Sequence, residues 1–99
     1  MTDIKRYVED IDGELESAKA YAEKYLDLKS MNDSSNATRY REMALDELKH
    51  AGYIHDYAVS VIDRLKEVYT PPADMEDEWT RAHKKYYEQT AWIKQMLAM

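Results

Sequence analysis

Residues 30–36 read Ser30-Met31-Asn32-Asp33-Ser34-Ser35-Asn36. Five consecutive positions, Asn32 to Asn36, favour turns and helix caps, because their short polar side chains bond nearby backbone groups in competition with a helix. A second break stands at Thr70-Pro71-Pro72, where the prolines end one helix and start the next, with Thr70 or Pro71 near the cap position. The two breaks leave three segments, about 3–29, 36–69 and 72–98. Each carries an apolar seam with alternating spacings of four and three, the pattern of a helix packed along its length on a neighbour. In the first segment the seam is Ile4, Val8, Ile11, Leu15, Ala18, Ala22 and Tyr25. In the second it is Tyr40, Ala44, Glu47, Ala51, Ile54, Ala58, Val61, Leu65 and Val68, and in the third Met75, Trp79, Ala82, Tyr86, Gln89, Ile93 and Met96. Short connections make sequential helices antiparallel, so the expected fold is an all-α, up-down-up, three-helix protein.

Composition agrees with one helical domain spanning residues 1–99. The 99 residues include only 2 Gly and 2 Pro, too few for the turns of an all-β fold. Gly13 and Gly52 lie inside helical segments, where each costs about 1 kcal/mol relative to Ala and so points to a close helix approach. A chain of this length buries about 65% of its extended surface, which makes a partner subunit or a metal a useful source of stability. With no Cys, disulfides, thiolate nucleophiles and Cys-type zinc sites are excluded, and any metal must use carboxylate and imidazole ligands. Lys plus Arg number 14 against 20 Asp plus Glu, a net charge of −6, and the basic residues are scattered among carboxylates. That balance argues against nucleic acid as a partner. The start lacks the apolar run of a signal peptide and no window approaches a membrane span, so the expectation is a cytoplasmic protein with no membrane partner.

Glu47 is the misfit. It falls at the centre of the second seam, where an ionised carboxylate must be protonated, paired, hydrogen-bonded or bound to a cation. His50, three residues on, lies on the same side one turn away, so Glu47-Leu48-Lys49-His50 directs a carboxylate and an imidazole to one point. Glu14 flanks the first seam beside Ile11, Leu15 and Ala18. If the first turn centres near residue 33, facing residues of the two helices have numbers summing to about 66. Glu14 then lies level with His50 and within about 8 Å of Glu47 along the axis, at ~1.5 Å per residue. The three side chains can therefore converge. The third helix offers Gln89, Trp92, Ile93 and Met96 at that level, which are poor ligands. One chain supplies three ligands, whereas a carboxylate-bridged metal pair takes six.

At these residues the sequence resembles half of a ferritin-like or rubrerythrin-like bundle, which uses a Glu from one helix and Glu-x-x-His from the next, twice over, to hold two irons. The 33-residue separation of Glu14 from Glu47 resembles the first half-site of rubrerythrins. The single-hairpin version is similar to the encapsulated-ferritin family, whose subunits join half-sites across a dimer interface. The resemblance implies a homodimer or larger homo-oligomer that completes a four-helix bundle. It also implies iron, two per dimer, held by Glu47 and His50 of each chain with Glu14 completing each shell. Manganese also suits this donor set, and zinc is a further possibility. The implied activity is ferroxidase or related di-iron oxidoreductase chemistry with oxygen or peroxide; the redox partner is not specified. Tyr21, Tyr25, Tyr40, Tyr53 and Tyr57 would be available as reductants.

The same residues have plainer readings. Glu47 and His50 can be a buried pair that fixes helix register in a non-enzymatic interaction or accessory protein. Glu14 can be an ordinary charged flank of a seam. His55, on the far flank of the second seam, reads as a partly buried structural histidine. His83 reads as a core histidine near the level of Ala58 or Val59, because Trp79, Thr80, Tyr86 and Tyr87, one turn away on either side, supply no carboxylate. The nine Tyr of a chain without Phe fill core-edge positions where the ring is buried and the hydroxyl wet.

Overall fold

The computed structural model describes residues 2–99. Three α-helices, α1 (Thr2–Ser30), α2 (Ser34–Val68) and α3 (Ala73–Leu97), account for nearly all of them, with no strand among the described residues. α1 stops because Asn32 takes a left-handed conformation (φ 60°), which few residues other than Gly adopt without cost. Its N–H returns to the Lys29 carbonyl and that of Asp33 to the Leu28 carbonyl, a Schellman closure of the helix. Asp33 then caps α2, accepting from the Asn36 backbone N–H at 3.3 Å and from the Asn36 side-chain amide at 2.9 Å. Each helix therefore extends further into residues 30–36 than the composition of that stretch indicated.

The second connection is made by extended backbone at Tyr69 and by Pro72, which occupies the N-cap of α3 instead of Thr70 or Pro71. Proline there loses no hydrogen bond, since a helix start leaves its first N–H groups unpaired. Asp74 and Glu76 sit in the first turn of α3, where carboxylates interact favourably with the helix N-terminus. No helix among the described residues is long and apolar enough to cross a membrane.

The α1 seam is buried as its spacing predicts: Ile4, Ile11, Leu15, Ala18, Ala22 and Tyr25 lie inside and Val8 is half-buried. α3 contributes Ile93, Met96 and Leu97, with Trp79 and Tyr86 packed against the core from its edge. The phase of α2 differs from the expectation. Ala44, Ala51 and Ala58 are buried in both, but Leu48, His55 and Ile62 replace Glu47, Ile54 and Val61 as their companions. The reason is that α2 packs against two helices: the expected stripe would face α1 alone, and a buried arc directed between α1 and α3 is turned partly round from it. Glu47 is thereby moved to the rim and His55 to the interior.

The molecule is a rod of 55 × 18 × 17 Å with a radius of gyration of 16.0 Å, against about 13 Å for a compact chain of this length. The α3 backbone runs nearer α1 than α2. Its C-terminal end returns to the first turn, where Arg41 Nε donates to the Leu97 carbonyl at 3.2 Å and the Lys29 ammonium donates to the Met99 carbonyl. α3 covers one side of the α1–α2 hairpin; Glu14, Glu47 and His50 belong to the other.

Candidate metal centre

The three-residue turn places the facing pairs of α1 and α2 at numbers summing to about 64, so that Glu14 stands level with His50, as the height argument anticipates. Among the described residues, Glu14, Glu47 and His50 are the one group of three acidic or imidazole side chains whose ligand atoms all lie within 4.8 Å of one another. His50 Nδ1 is 3.7 Å from Glu14 Oε2 and 3.9 Å from Glu47 Oε2. Two donors on one ion with bonds of about 2.1 Å, the length seen at first-row metal sites, can be at most about 4.2 Å apart. Both imidazole-to-carboxylate separations already fall under that ceiling.

Burial is graded across the group. The side chains of Glu47 and Glu14 are 23% and 30% exposed, while that of His50 is 54% exposed. The two carboxyls line an open groove between α1 and α2 together with Glu9, Asp10, Gly13, Ser17 and Ile54. Glu14 is held above the ordinary carboxylate range, first by a hydrogen bond with the Glu47 carboxyl, then by burial and by the Glu47 charge. His50 acts in the opposite direction and only partly offsets them. Two carboxyls this close repel when both are ionised, and a cation between them would remove that cost. The donor set thus fits a divalent ion chemically: two hard oxygens and one imidazole. α3 adds nothing to this group, in accord with the poor ligands read at its level.

Glu47 does not lie at the centre of a buried seam; it occupies a half-buried edge with an open outer side. That position weakens one step of the sequence argument, because an edge carboxylate is solvated in part and does not demand a partner. Convergence with Glu14 and His50 carries the site instead.

His55 is a structural histidine as expected, but it is fully rather than partly buried and belongs to the core stripe rather than its far flank. It is 4% exposed and faces α3, where its Nε2 lies 2.8 Å from His83 Nδ1. The Tyr86 ring stacks on it with centroids 4.1 Å apart, and Trp79 stacks at 5.9 Å. His83 is hydrogen-bonded as expected, but it is half-buried at the edge of the core rather than within it. The signal that would have found the pair was present: His55 keeps the four-three spacing with Leu48, Ala51, Ala58 and Ile62.

Searches against protein-family models, curated proteins and solved structures find no match to this chain.

Proposed function

We propose that the chain is a ferritin-like metal-binding protein, in which two copies each contribute Glu14, Glu47 and His50 to a shared two-metal site, and that its activity is the oxidation of ferrous iron by oxygen or peroxide. The observation that carries this reading is the convergence of two carboxylates and one imidazole on the face of the α1–α2 hairpin that α3 leaves open. A second hairpin laid against that face would complete a four-helix bundle and raise the ligand count from three to six. Iron, when bound, supplies one-electron oxidation chemistry at a site of hard donors. The protein's own part is to bring two carboxylates together and to keep His50 reachable from outside. The open groove with Glu9 and Asp10 at its edge draws cations toward the ligands.

A second reading has its own observation. His50 lies 3.7 Å from Glu14 and 3.9 Å from Glu47, so the trio can satisfy itself as a structural network in a non-enzymatic helical interaction protein. The two readings part at one measurement. Protein produced with iron should carry about one metal per chain and lose it in Glu47→Ala. A content below about 0.2 per chain, unchanged in the variant, overturns the metal reading and favours the network. A monomer that retains one metal on three ligands would point instead to a zinc-type site.

A further inference from the structure

The pair His55–His83 lies on the α3-facing side of α2, on the stripe next to the one that carries Glu47, and its hydrogen-bond partners assign the protons. His55 Nδ1 is 3.2 Å from Asp56 Oδ1, and a carboxylate only accepts, so Nδ1 carries the hydrogen. His55 Nε2 is then a bare acceptor, and the 2.8 Å contact is made by His83 Nδ1–H donating to it. His83 Nε2 is the basic end of the chain of bonds.

This bond matters because little else ties the N-terminal half of α3 to α2. The α3 backbone stays nearer α1, and its approach to α2 is made through the rings of Trp79, His83 and Tyr86 on His55. The Lys66–Glu76 ion pair nearby, at 3.6 Å, has both side chains about half exposed and contributes little. An apolar pocket lined by Ile4, Ile62, Pro71, Met75 and Trp79 lies beside it, so this end is also incompletely packed. The C-terminal half of α3 is anchored separately by Ile93, Met96 and Leu97 in the core and by Arg41 on the Leu97 carbonyl.

We propose that His55 and His83 form a proton-operated clasp between α2 and α3, closed while His55 Nε2 is an acceptor and opened when both imidazoles are protonated, loosening the N-terminal half of α3 from α2. A first proton taken at His83 Nε2 leaves the bond intact. A second, at His55 Nε2, removes the acceptor and sets two N–H groups of like charge face to face. Asp56 on α2, bonded to Nδ1 but largely exposed, offsets one of the two charges from the solvent side; the other titratable groups in contact are the phenols of Tyr86 and Tyr87 on α3, and neither relieves the clash of the two N–H groups. α1 packs on α3 through contacts that include the Lys85–Asp12 ion pair at 3.4 Å. Burial, and secondarily the charge of His55, hold His83 below the ordinary histidine range. The folded state therefore binds fewer protons than the unfolded one. The neutral His83 imidazole thus contributes stability that is present above the ordinary value of about 6.5 and is lost as pH falls through the lowered one.

Trp79 reports on the clasp directly. In metal-free full-length protein carrying Trp92→Phe, which leaves Trp79 as the only indole, emission is followed from pH 8 to 4.5 alongside the far-ultraviolet helix signal. The expected result is a red shift and quenching of Trp79 below pH 6 while most of the helix signal is kept. The step should be lost in His83→Gln, whose amide donates to neutral His55 Nε2 and can turn its oxygen to accept from the protonated ring, so that no like-charged pair forms. Persistence of the step in that variant, or simultaneous loss of helix and tryptophan burial in the parent, overturns the proposal. Imidazole nitrogen NMR on the parent gives a check that no variant can spoil by misfolding: the Nδ1–H tautomer of both rings at neutral pH supports the clasp. Two rings that protonate fully with Trp79 still buried refute it.

Discussion

Gly13 and Gly52 look alike in the sequence, one in each of the first two helices, but they meet different surroundings. A Cβ at Gly52 would stand 3.4 Å from the Tyr86 hydroxyl, whereas one at Gly13 would have nothing within 4 Å. The missing side chain at Gly52 lets the Tyr86 phenol lie against α2 while its ring stacks on His55. Gly13 sits on an exposed surface beside Glu14 and has no such use within one chain. Replacing glycine by alanine inside a helix usually gains about 1 kcal/mol, because the unfolded chain loses freedom that the helix does not need. Gly13→Ala is therefore expected to raise the urea-unfolding free energy of the metal-free chain by about that amount. Gly52→Ala should gain clearly less, since the Tyr86 hydroxyl must move by a few tenths of an ångström. Equal gains at the two positions would show that the contact of Tyr86 with α2 is not a constraint.

At the scale of the helices, the ends follow from local chemistry and the faces from what packs on them. Asp33 is the clearest end. Its carboxylate accepts from both the backbone and the side chain of Asn36, and these bonds hold it below the ordinary carboxylate range. A depressed carboxylate contributes stability that is present above its unfolded value, about 3.9, and is lost as pH falls through the lower folded value. Asp33→Ala should lower the melting temperature at pH 7 and have a much smaller effect at pH 2, where the parent's own cap is protonated; an equal drop at both pH values would contradict the cap. This turn was legible because Asn32 and Asp33 each act on residues within five positions of themselves. The phase of α2 was less so. The alanines at 44, 51 and 58 fit two neighbouring stripes, and the choice between Glu47 and Leu48, or Ile54 and His55, depends on α3, whose position no local pattern encodes. The candidate site survived that error because Glu14, Glu47 and His50 depend on the height of the α1–α2 hairpin, which the turn sets. The His55–His83 contact did not, since it needs the rotation of α2 and the packing of α3 together.

The whole molecule is long and thin for its length, and its two sides differ. α3 closes one side of the hairpin, and the other presents the acidic groove, half-buried Ile54 and Val61, and exposed Met43 and Tyr57 around Glu47 and His50. Three ligands on that side leave an ion half-coordinated by protein, so metal and a second chain should stabilise each other. Metal that bridges two copies makes stability depend on protein concentration, because unfolding then separates two chains. Each tenfold dilution should lower the unfolding free energy of the metal-loaded dimer by about 1.4 kcal/mol, which reads out as a falling melting temperature. The metal-free chain should show a much weaker dependence, and Glu47→Ala should behave the same with or without ferrous or manganous ion. The discriminating series is therefore a hundredfold range of protein concentration, melted with metal and with chelator. A melting temperature that rises with metal but not with concentration would mean that one chain holds its ion alone. A rise with concentration that chelator and Glu47→Ala leave untouched would mean that the copies pair through apolar surface, with the carboxylates as bystanders.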